Sequence, residues 1–427
     1  MDPNGSPPPS VHQPVHQPVH QPVHQRIAFL DILRGLAILG MILVHFHGME
    51  TPEAQLPEMS PVEQAIGWVI WVGVEQKSWG TFALLFGAGF GLLLHRTRER
   101  AQNIAIPFLR RMGALAVFGV LLYLTTGFTI LWEYALCGVV LLLLRDRSPR
   151  ALLLTALAVF AARPLMGLVQ GIHEWVTIGA TASDAIAVEA GRDIGAHWVA
   201  FNQASRGPDF LAAVSGRWNH LLWQLARPTT ILLGAHLPLF LIGFAAMKAG
   251  VFTEPLRHRR AIGWAMALGG VSWAMAWYLY SRDWQLPFPP TWPRRVTDSL
   301  RGGLGLIHDQ LLCLTYVGAA LLVLARWPVW QARLAPLAAA GRMALTNYVL
   351  QVLVVHVLSA GYLLGWSIRP YMTVAATTIL MIALIGFSRW WLAGHPSGPL
   401  ESGWRAITWW RAPQWQREVA PARGMGL

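Results

Sequence analysis

Apolar stretches of roughly twenty residues recur from residue 27 to residue 389, and they limit what this chain can become. The hydrocarbon layer of a bilayer is about 30 Å thick, and an α-helix rises about 1.5 Å per residue, so about 20 apolar residues cross it. Inside lipid the backbone must satisfy its own hydrogen bonds, which makes each such stretch a helix. Ten stretches fit: roughly 27–48, 78–95, 107–127, 128–144, 151–171, 229–247, 261–281, 304–325, 343–365 and 371–389. The expected fold class is therefore all-α, a polytopic membrane protein with about ten transmembrane helices. Composition agrees: 54% of residues are hydrophobic and 13% charged, where a soluble domain averages about a quarter charged. A soluble enzyme, a disordered tail protein and a disulfide scaffold are excluded. Cys137 and Cys313 both fall inside apolar runs and read as small core residues.

The formal net charge of +12 does not point to nucleic acid, because no basic soluble domain is present. The 33 basic residues are all Arg except Lys77 and Lys248, and many flank apolar runs. The linker 96–111 holds Arg96, Arg98, Arg100, Arg110 and Arg111, and Arg145, Arg147 and Arg150 follow the fourth stretch. Lys248, Arg257, Arg259 and Arg260 follow the sixth, and Arg326 and Arg333 the eighth. The connection after the first stretch is instead acidic, with Glu50, Glu53, Glu58 and Glu63. Basic residues concentrate on the cytoplasmic side of membrane proteins, so both termini are expected in the cytoplasm. The 282–303 connection, with four Arg, runs against that trend.

Three regions are expected: a tail over 1–25, a membrane domain over 26–408 and a cytoplasmic tail over 409–427. The first is a VHQP repeat from Val11, with His12, His16, His20 and His24 evenly spaced. Proline every fourth residue forbids a regular helix, so it reads as a disordered repeat rather than a metal site. It also lacks the apolar core and cleavage site of a signal peptide. Residues 61–76 read as an amphipathic helix at the interface. The 172–227 segment is the longest polar connection and is expected to hold one or two short helices.

Ionisable groups within apolar stretches are costly and ask for a partner or a function. The first stretch holds the densest set: Arg26, Asp31, Arg34, His45 and His47. Asp31 and Arg34 are i,i+3 neighbours able to form an ion pair. Arg34 and His45 are eleven residues apart, which places them within about 20° in direction and about 16 Å in height. Asp31, Arg34 and His45 thus share one polar stripe, while His47 points about 200° away from His45. The ninth stretch carries Arg342, Thr346, Asn347, Gln351 and His356, with Asn347 and Gln351 on one face; interhelical hydrogen bonding is the competing explanation. Glu133, His308 and Asp309 are further intramembrane ionisable groups. The glycine-rich Phe86-Gly87-Ala88-Gly89-Phe90-Gly91 lacks the strand and Lys-Ser/Thr of a phosphate loop and reads as a close-packing face. Lys77 reads as a residue snorkelling to the interface. No zinc-ligand spacing, nucleophile elbow or nucleotide fingerprint appears, and no metal is expected.

Four blocks resemble the YeiB-like family of bacterial membrane proteins. They are Arg26-Ile-Ala-Phe-Leu-Asp31-Ile-Leu-Arg34-Gly35; Lys77-Ser-Trp-Gly-Thr-Phe82 leading into Leu85-Phe86-Gly87-Ala88-Gly89-Phe90; Gly341-Arg342-Met343-Ala344-Leu345-Thr346-Asn347-Tyr348 with Gln351; and Gly398-Pro399-Leu400-Glu401 with Trp404-Arg405. They bracket residues 26–408. The resemblance extends to the transmembrane acyltransferase superfamily, whose bacterial members carry an Arg and a His in their first helix at the spacing of Arg34 and His45. The YeiB-like pattern usually has Asn where His45 stands, and often Gly-Asp where Gly127-Phe128 stands.

The resemblance implies transfer of an acyl group, with acetyl the leading choice, from cytoplasmic acyl-CoA or acetyl-CoA. The acceptor would be extracytoplasmic or membrane-borne: a glycan, a lipid headgroup or a small amine. Arg34, Arg26 and Arg342 are then candidates for holding donor phosphates, since guanidinium suits bidentate phosphate contact. His45 is a candidate general base or acyl carrier, Asp31 orients Arg34, and Asn347 and Gln351 are amides able to stabilise an oxyanion. Gln351, Glu133, His308 and Asp309 are candidate acceptor-binding residues. The setting is a bacterial inner membrane, with lipid as the standing partner; a homo-oligomer fits equally well. A proton-coupled carrier uses similar intramembrane charges, and a noncatalytic scaffold or sensor also fits the pattern.

Overall fold

The computed structural model describes residues 23–49, 59–234, 236–280 and 288–410, with 412 and 415; the VHQP repeat up to residue 22 and most of the 409–427 tail lie outside them. The described residues form helices and turns with no strand. Helix α1 is Val23–His47 and α2 is Pro61–Trp68; a π-helical stretch, Val69–Glu75, joins α2 to α3, Gln76–Glu99. Then come α4 (Ala105–Thr126), α5 (Leu131–Leu143), α6 (Pro149–Ile178), α7 (Ala180–Arg206), α8 (Phe210–Leu225), α9 (Pro228–Leu232) and α10 (His236–Lys248). The remainder are α11 (Arg259–Tyr280), α12 (Arg294–Arg326), α13 (Val329–Arg333), α14 (Ala335–Arg342), α15 (Ala344–Ser359), α16 (Pro370–Gly394) and α17 (Pro399–Trp409).

Helices fall close to all ten expected stretches, yet among the described residues only six are long and apolar enough to cross a membrane: Phe29–His47, Pro61–Glu99, α4, α6, α12 and α16. The α14–α15 pair, bent by 82°, makes a seventh at most. Two of the missing spans are short for a physical reason. Helices α5 and α10 hold 13 residues each, about 20 Å of rise. They sit among other helices, and most of α10 from Leu237 to Ala245 is buried. Two further expectations change. Residues 61–76 run through the π-helical stretch directly into α3 as part of one 39-residue span. The 172–227 segment is filled by the end of α6 and by α7 and α8, of 27 and 16 residues, rather than by short helices.

Helix α1 lies at the centre: 67% of its apolar window is buried, against 11% for α6. Its Leu33, Ile38, Met41 and Ile42 join Leu84, Leu85, Phe108, Leu141, Phe240 and Phe244 in one core. Peripheral helices expose large apolar side chains, such as Leu154 and Val169 on α6 and Ile379 and Ile382 on α16, which suits contact with lipid. Glycines set the two closest crossings. Gly87 on α3 lies against the Phe240 carbonyl of α10, and Gly243 of α10 against the Leu84 carbonyl. Gly341 of α14 lies against the Asp31 carbonyl of α1, and Gly35 against the Leu337 carbonyl. A side chain at any of these would overlap a partner backbone, so the glycine-rich block packs helices, as its small residues imply.

The α7–α8 pair is tied to the helix ends beneath it. Arg217, fully buried, donates to the Leu124 and Thr125 carbonyls (3.2 and 2.6 Å) that end α4, and to the Tyr362 hydroxyl at 3.1 Å. Within the pair, His197 Nε2 and His220 Nδ1 are 2.8 Å apart, with Gln224 on the other ring nitrogen of His220. Burial, and secondarily the neighbouring His197, push the His220 pKa down to about 4.

Two outcomes follow from this packing. Gly87→Ala should lower the unfolding free energy by about 1–3 kcal/mol through overpacking, whereas Gly263→Ala, with open space around it, should not; equal melting temperatures for the two variants would refute the crossing. His220 is neutral in the fold at pH values where the unfolded chain protonates it. Its contribution is therefore full above about pH 6.5 and lost as pH falls toward about 4. Melting curves of His220→Gln should accordingly lose part of the acid sensitivity that the natural chain shows across that window.

Candidate functional site

Asp31 and Arg34 stand one helical turn apart on α1, and Arg34 Nη1 donates to Asp31 Oδ1 at 2.9 Å. Gly89 of α3 faces them: a β-carbon there would come 3.3 Å from Arg34 Nη2, so glycine leaves space for the guanidinium. The break between α14 and α15 leaves Arg342 at the bend, where Nη2 donates to the Pro396 carbonyl at 3.2 Å. The close passage of Gly341 over Asp31 brings the Arg342 charge within range of that carboxylate.

The same break exposes the first N–H groups of α15, which have no partner within their own helix. Glu401 of α17 supplies one. Its carboxylate accepts the N–H groups of Leu345 (2.7 Å) and Thr346 (3.0 Å) and the Thr346 hydroxyl (2.6 Å). The Thr346 hydroxyl in turn accepts the Leu400 N–H at 3.2 Å. Burial raises the Glu401 pKa, against the pull of these hydrogen bonds. Trp404, one turn further along α17, stacks on the Arg111 guanidinium at 3.7 Å and donates its indole N–H to the Arg111 carbonyl.

These groups surround a cavity of about 450 Å³. Arg34, Arg96, Arg111, Arg342 and Arg405 line it with only Asp31 and Glu401 as carboxylates, and Phe82, Phe86, Leu131, Tyr134 and Tyr348 supply an apolar wall. Along α3 the lining runs from Phe82 to Arg96, about 21 Å of helix rise. Arg34 and Arg405 both act electrostatically on Arg111, so like charges crowd one end. An elongated ligand with an anionic head and a less polar tail matches both parts of this lining.

His45 does not line the cavity. It is buried, its ring meets Phe128 edge-on at 4.8 Å, and the Tyr348 ring lies 6.1 Å away. Neither imidazole nitrogen has a hydrogen-bond partner among the described residues. Tyr348 belongs to the cavity wall and also neighbours His45; its hydroxyl accepts the Ile130 N–H at 3.1 Å.

The other sequence candidates are dispersed. Asn347 gives its amide N–H groups to Ala340 O and Ser388 Oγ, both at 2.9 Å, and joins α15 to α14 and α16. Gln351 is fully buried with neither amide atom hydrogen-bonded among the described residues. His356 bonds the Tyr362 hydroxyl. Glu133 lies 3.3 Å from His236, and His308 Nδ1 lies 3.2 Å from the Ser272 carbonyl. Asp309 pairs with Lys77 at 2.6 Å; Lys77 is thus buried with an anion rather than snorkelling. Arg26 is on α1, but its side chain lies outside the described residues. Conversely, Arg96 and Arg111 were legible only as charges flanking apolar stretches, and Tyr348, Glu401 and Arg405 only as members of matched blocks.

Among the described residues, the fold and cavity define an all-helical membrane protein with a partly open, arginine-rich pocket. Residues 26–187 match the family described as heparan-alpha-glucosaminide N-acetyltransferase, catalytic, and residues 246–411 match the one described as protein of unknown function, DUF418. The chain is 28% identical to uncharacterized protein YxaH of Bacillus subtilis (strain 168), over 90% of this chain and 94% of that one. It is also 28% identical to uncharacterized protein YeiB of Escherichia coli (strain K12), over 89% and 95%. No solved structure matches it. The resemblance to YeiB-like membrane proteins therefore holds over nearly the whole chain.

Removing the Glu401 carboxylate should unfasten α17 from α15. Glu401→Ala is expected to cost about 1–3 kcal/mol by leaving buried N–H groups unpaired, and to speed proteolytic removal of the segment after residue 398. A variant that melts and is cleaved like the natural chain would show that the carboxylate does not hold the bend.

Proposed function

We propose that the protein is a transmembrane acyltransferase that takes an acyl group, acetyl in the leading case, from acyl-CoA at the arginine-lined end of the cavity. The acceptor is a hydroxyl or amine of an extracytoplasmic or membrane-borne molecule such as a glycan. The observation that carries this reading is the pairing of five converging arginines with an apolar wall, one ring away from His45. The similarity of residues 26–187 to the N-acetyltransferase catalytic family supports it.

In this reading the chain crosses a bacterial inner membrane ten times, with both termini and the arginine-lined end on the cytoplasmic side. This counts the short α5 and α10, α11 and the bent α14–α15 pair as crossing elements, and it follows the basic-residue bias. Arg34, Arg111, Arg342 and Arg405 hold donor phosphates through charge-assisted contacts, and Asp31 keeps the Arg34 fork in place. The donor supplies a thioester-activated acyl group. His45, as a neutral imidazole, accepts the proton that the attacking hydroxyl or amine loses as the new ester or amide bond forms; the thioester C–S bond breaks, and the departing CoA thiolate takes up that proton. The unpartnered nitrogens of His45 fit a group kept for a substrate, because a buried unpaired polar group otherwise costs about 1–3 kcal/mol. Tyr348, which lines the cavity and has its ring 6.1 Å from that of His45, is the side chain linking the donor site to the proposed base.

A carrier is the second reading, and one cluster favours it. The buried Lys77–Asp309 pair has His308 beside it and Glu75 within electrostatic range, and intramembrane groups of this kind also conduct protons.

Binding of CoA and acetyl-CoA to the purified protein, followed calorimetrically, tests the main reading. Arg34→Lys should weaken binding about tenfold or more, because the planar fork is lost although the charge remains. His45→Ala should bind the donor normally yet transfer acyl groups at least 100-fold more slowly. Absence of CoA binding, or full transfer by His45→Ala, would overturn it; substrate flux into proteoliposomes without a donor would favour the carrier.

A further inference from the structure

A second cavity, of about 460 Å³, adjoins the first where α3 and α10 end. Leu92 and Arg96, one turn apart on α3, belong to the walls of both. Gly250, with φ of +80°, turns the chain after α10 so that Phe252 and Thr253 complete the lining.

The charges around this cavity sort into two kinds. His95 is paired with Glu99, and Arg98 with Asp146, at exposed positions; these are exposed pairs of little energetic consequence. Arg96 is half-buried and makes no hydrogen bond or ion pair among the described residues. Lys248 donates to the backbone carbonyls of Arg145 (3.2 Å) and Arg147 (2.5 Å). Carbonyls orient an ammonium without cancelling its charge. Arg96, with no ion pair among the described residues, and Lys248, with Asp146 within electrostatic range but held by carbonyls, therefore line a concave, partly apolar space whose wall is shared with the donor cavity at Leu92 and Arg96.

We propose that this second cavity is a phosphate-ester subsite, with Arg96 and Lys248 as its ligands, occupied by the phosphorylated nucleotide end of the donor whose acyl end enters the first cavity. The inference rests on the acyl-CoA reading. An anionic lipid headgroup presents the same phosphate chemistry, and the experiment separates the two sources.

Affinities of the full-length protein in neutral detergent are measured for CoA, dephospho-CoA and adenosine 3′,5′-bisphosphate. The natural chain should bind CoA about tenfold more tightly than dephospho-CoA, the value of one charge-assisted phosphate contact. Adenosine 3′,5′-bisphosphate should compete with CoA. Lys248→Gln should reduce CoA affinity by about that factor and leave dephospho-CoA nearly unchanged, while Arg96→Gln, whose side chain also lines the first cavity, should weaken both ligands and CoA the more. Equal affinity of the natural chain for CoA and dephospho-CoA overturns the subsite and leaves the acyl-donor reading standing; this comparison needs no variant to fold. Absence of any CoA binding overturns both. A thermal shift on adding short-chain phosphatidylglycerol that disappears in Arg96→Gln, without a CoA preference, assigns the cavity to lipid and overturns the nucleotide assignment.

Discussion

The crossing of α1 and α14 at Gly35 and Gly341 is the contact on which the rest of the site depends. Each glycine lies against a carbonyl of the other helix, at Leu337 and Asp31, so the axes approach as closely as backbones allow. That approach holds the α14–α15 break over the charged turn of α1. Arg342 then faces Asp31 and Arg34, and the exposed start of α15 meets Glu401. A larger residue at the crossing would move the bend, the arginines and the cap together.

The cavity is an electrostatically unfavourable object held in place by packing. Five arginines line it against two carboxylates, and the Arg34 and Arg405 charges act on the Arg111 guanidinium, where burial strengthens repulsion relative to water. Local contacts limit that strain: Arg34 has Asp31, Arg342 has a carbonyl, and Arg111 has the face of Trp404. None of the last two partners is an anion, so the positive potential survives. Such a potential draws in phosphorylated ligands and discriminates against neutral ones. The apolar wall from Phe82 to Tyr134 has the opposite character, and the two together suit the donor proposed for the site.

Much of this was legible in the chain. Asp31 and Arg34 pair because residues three apart on a helix share a face, and their burial follows from lying in an apolar stretch. The glycine block was readable as a packing face because small residues have few other uses in a membrane helix. Asn347 was readable as a polar group needing partners, but whether those were a substrate or Ala340 and Ser388 depended on the neighbouring helices. Lys77 looked like an interface residue because its partner, Asp309, is distant in sequence. Glu401 carried no signal of its own, since its role exists only where α14 and α15 break.

Hydropathy along the chain was enough to establish an all-helical membrane protein and the polar stripe of the first helix, because apolar length and helical period are local properties. The number of helices able to cross was not: α5 and α10 are shortened, and that is tolerable only because other helices surround them. Nor could the linear order of residues show that Arg96, Arg111 and Arg405 converge with Arg34 and Arg342. Their convergence is set by how helices pack in pairs, through the Gly35–Gly341 crossing of α1 with α14 and the Trp404–Arg111 contact of α17 with α4, a property of pairs of segments rather than of any one.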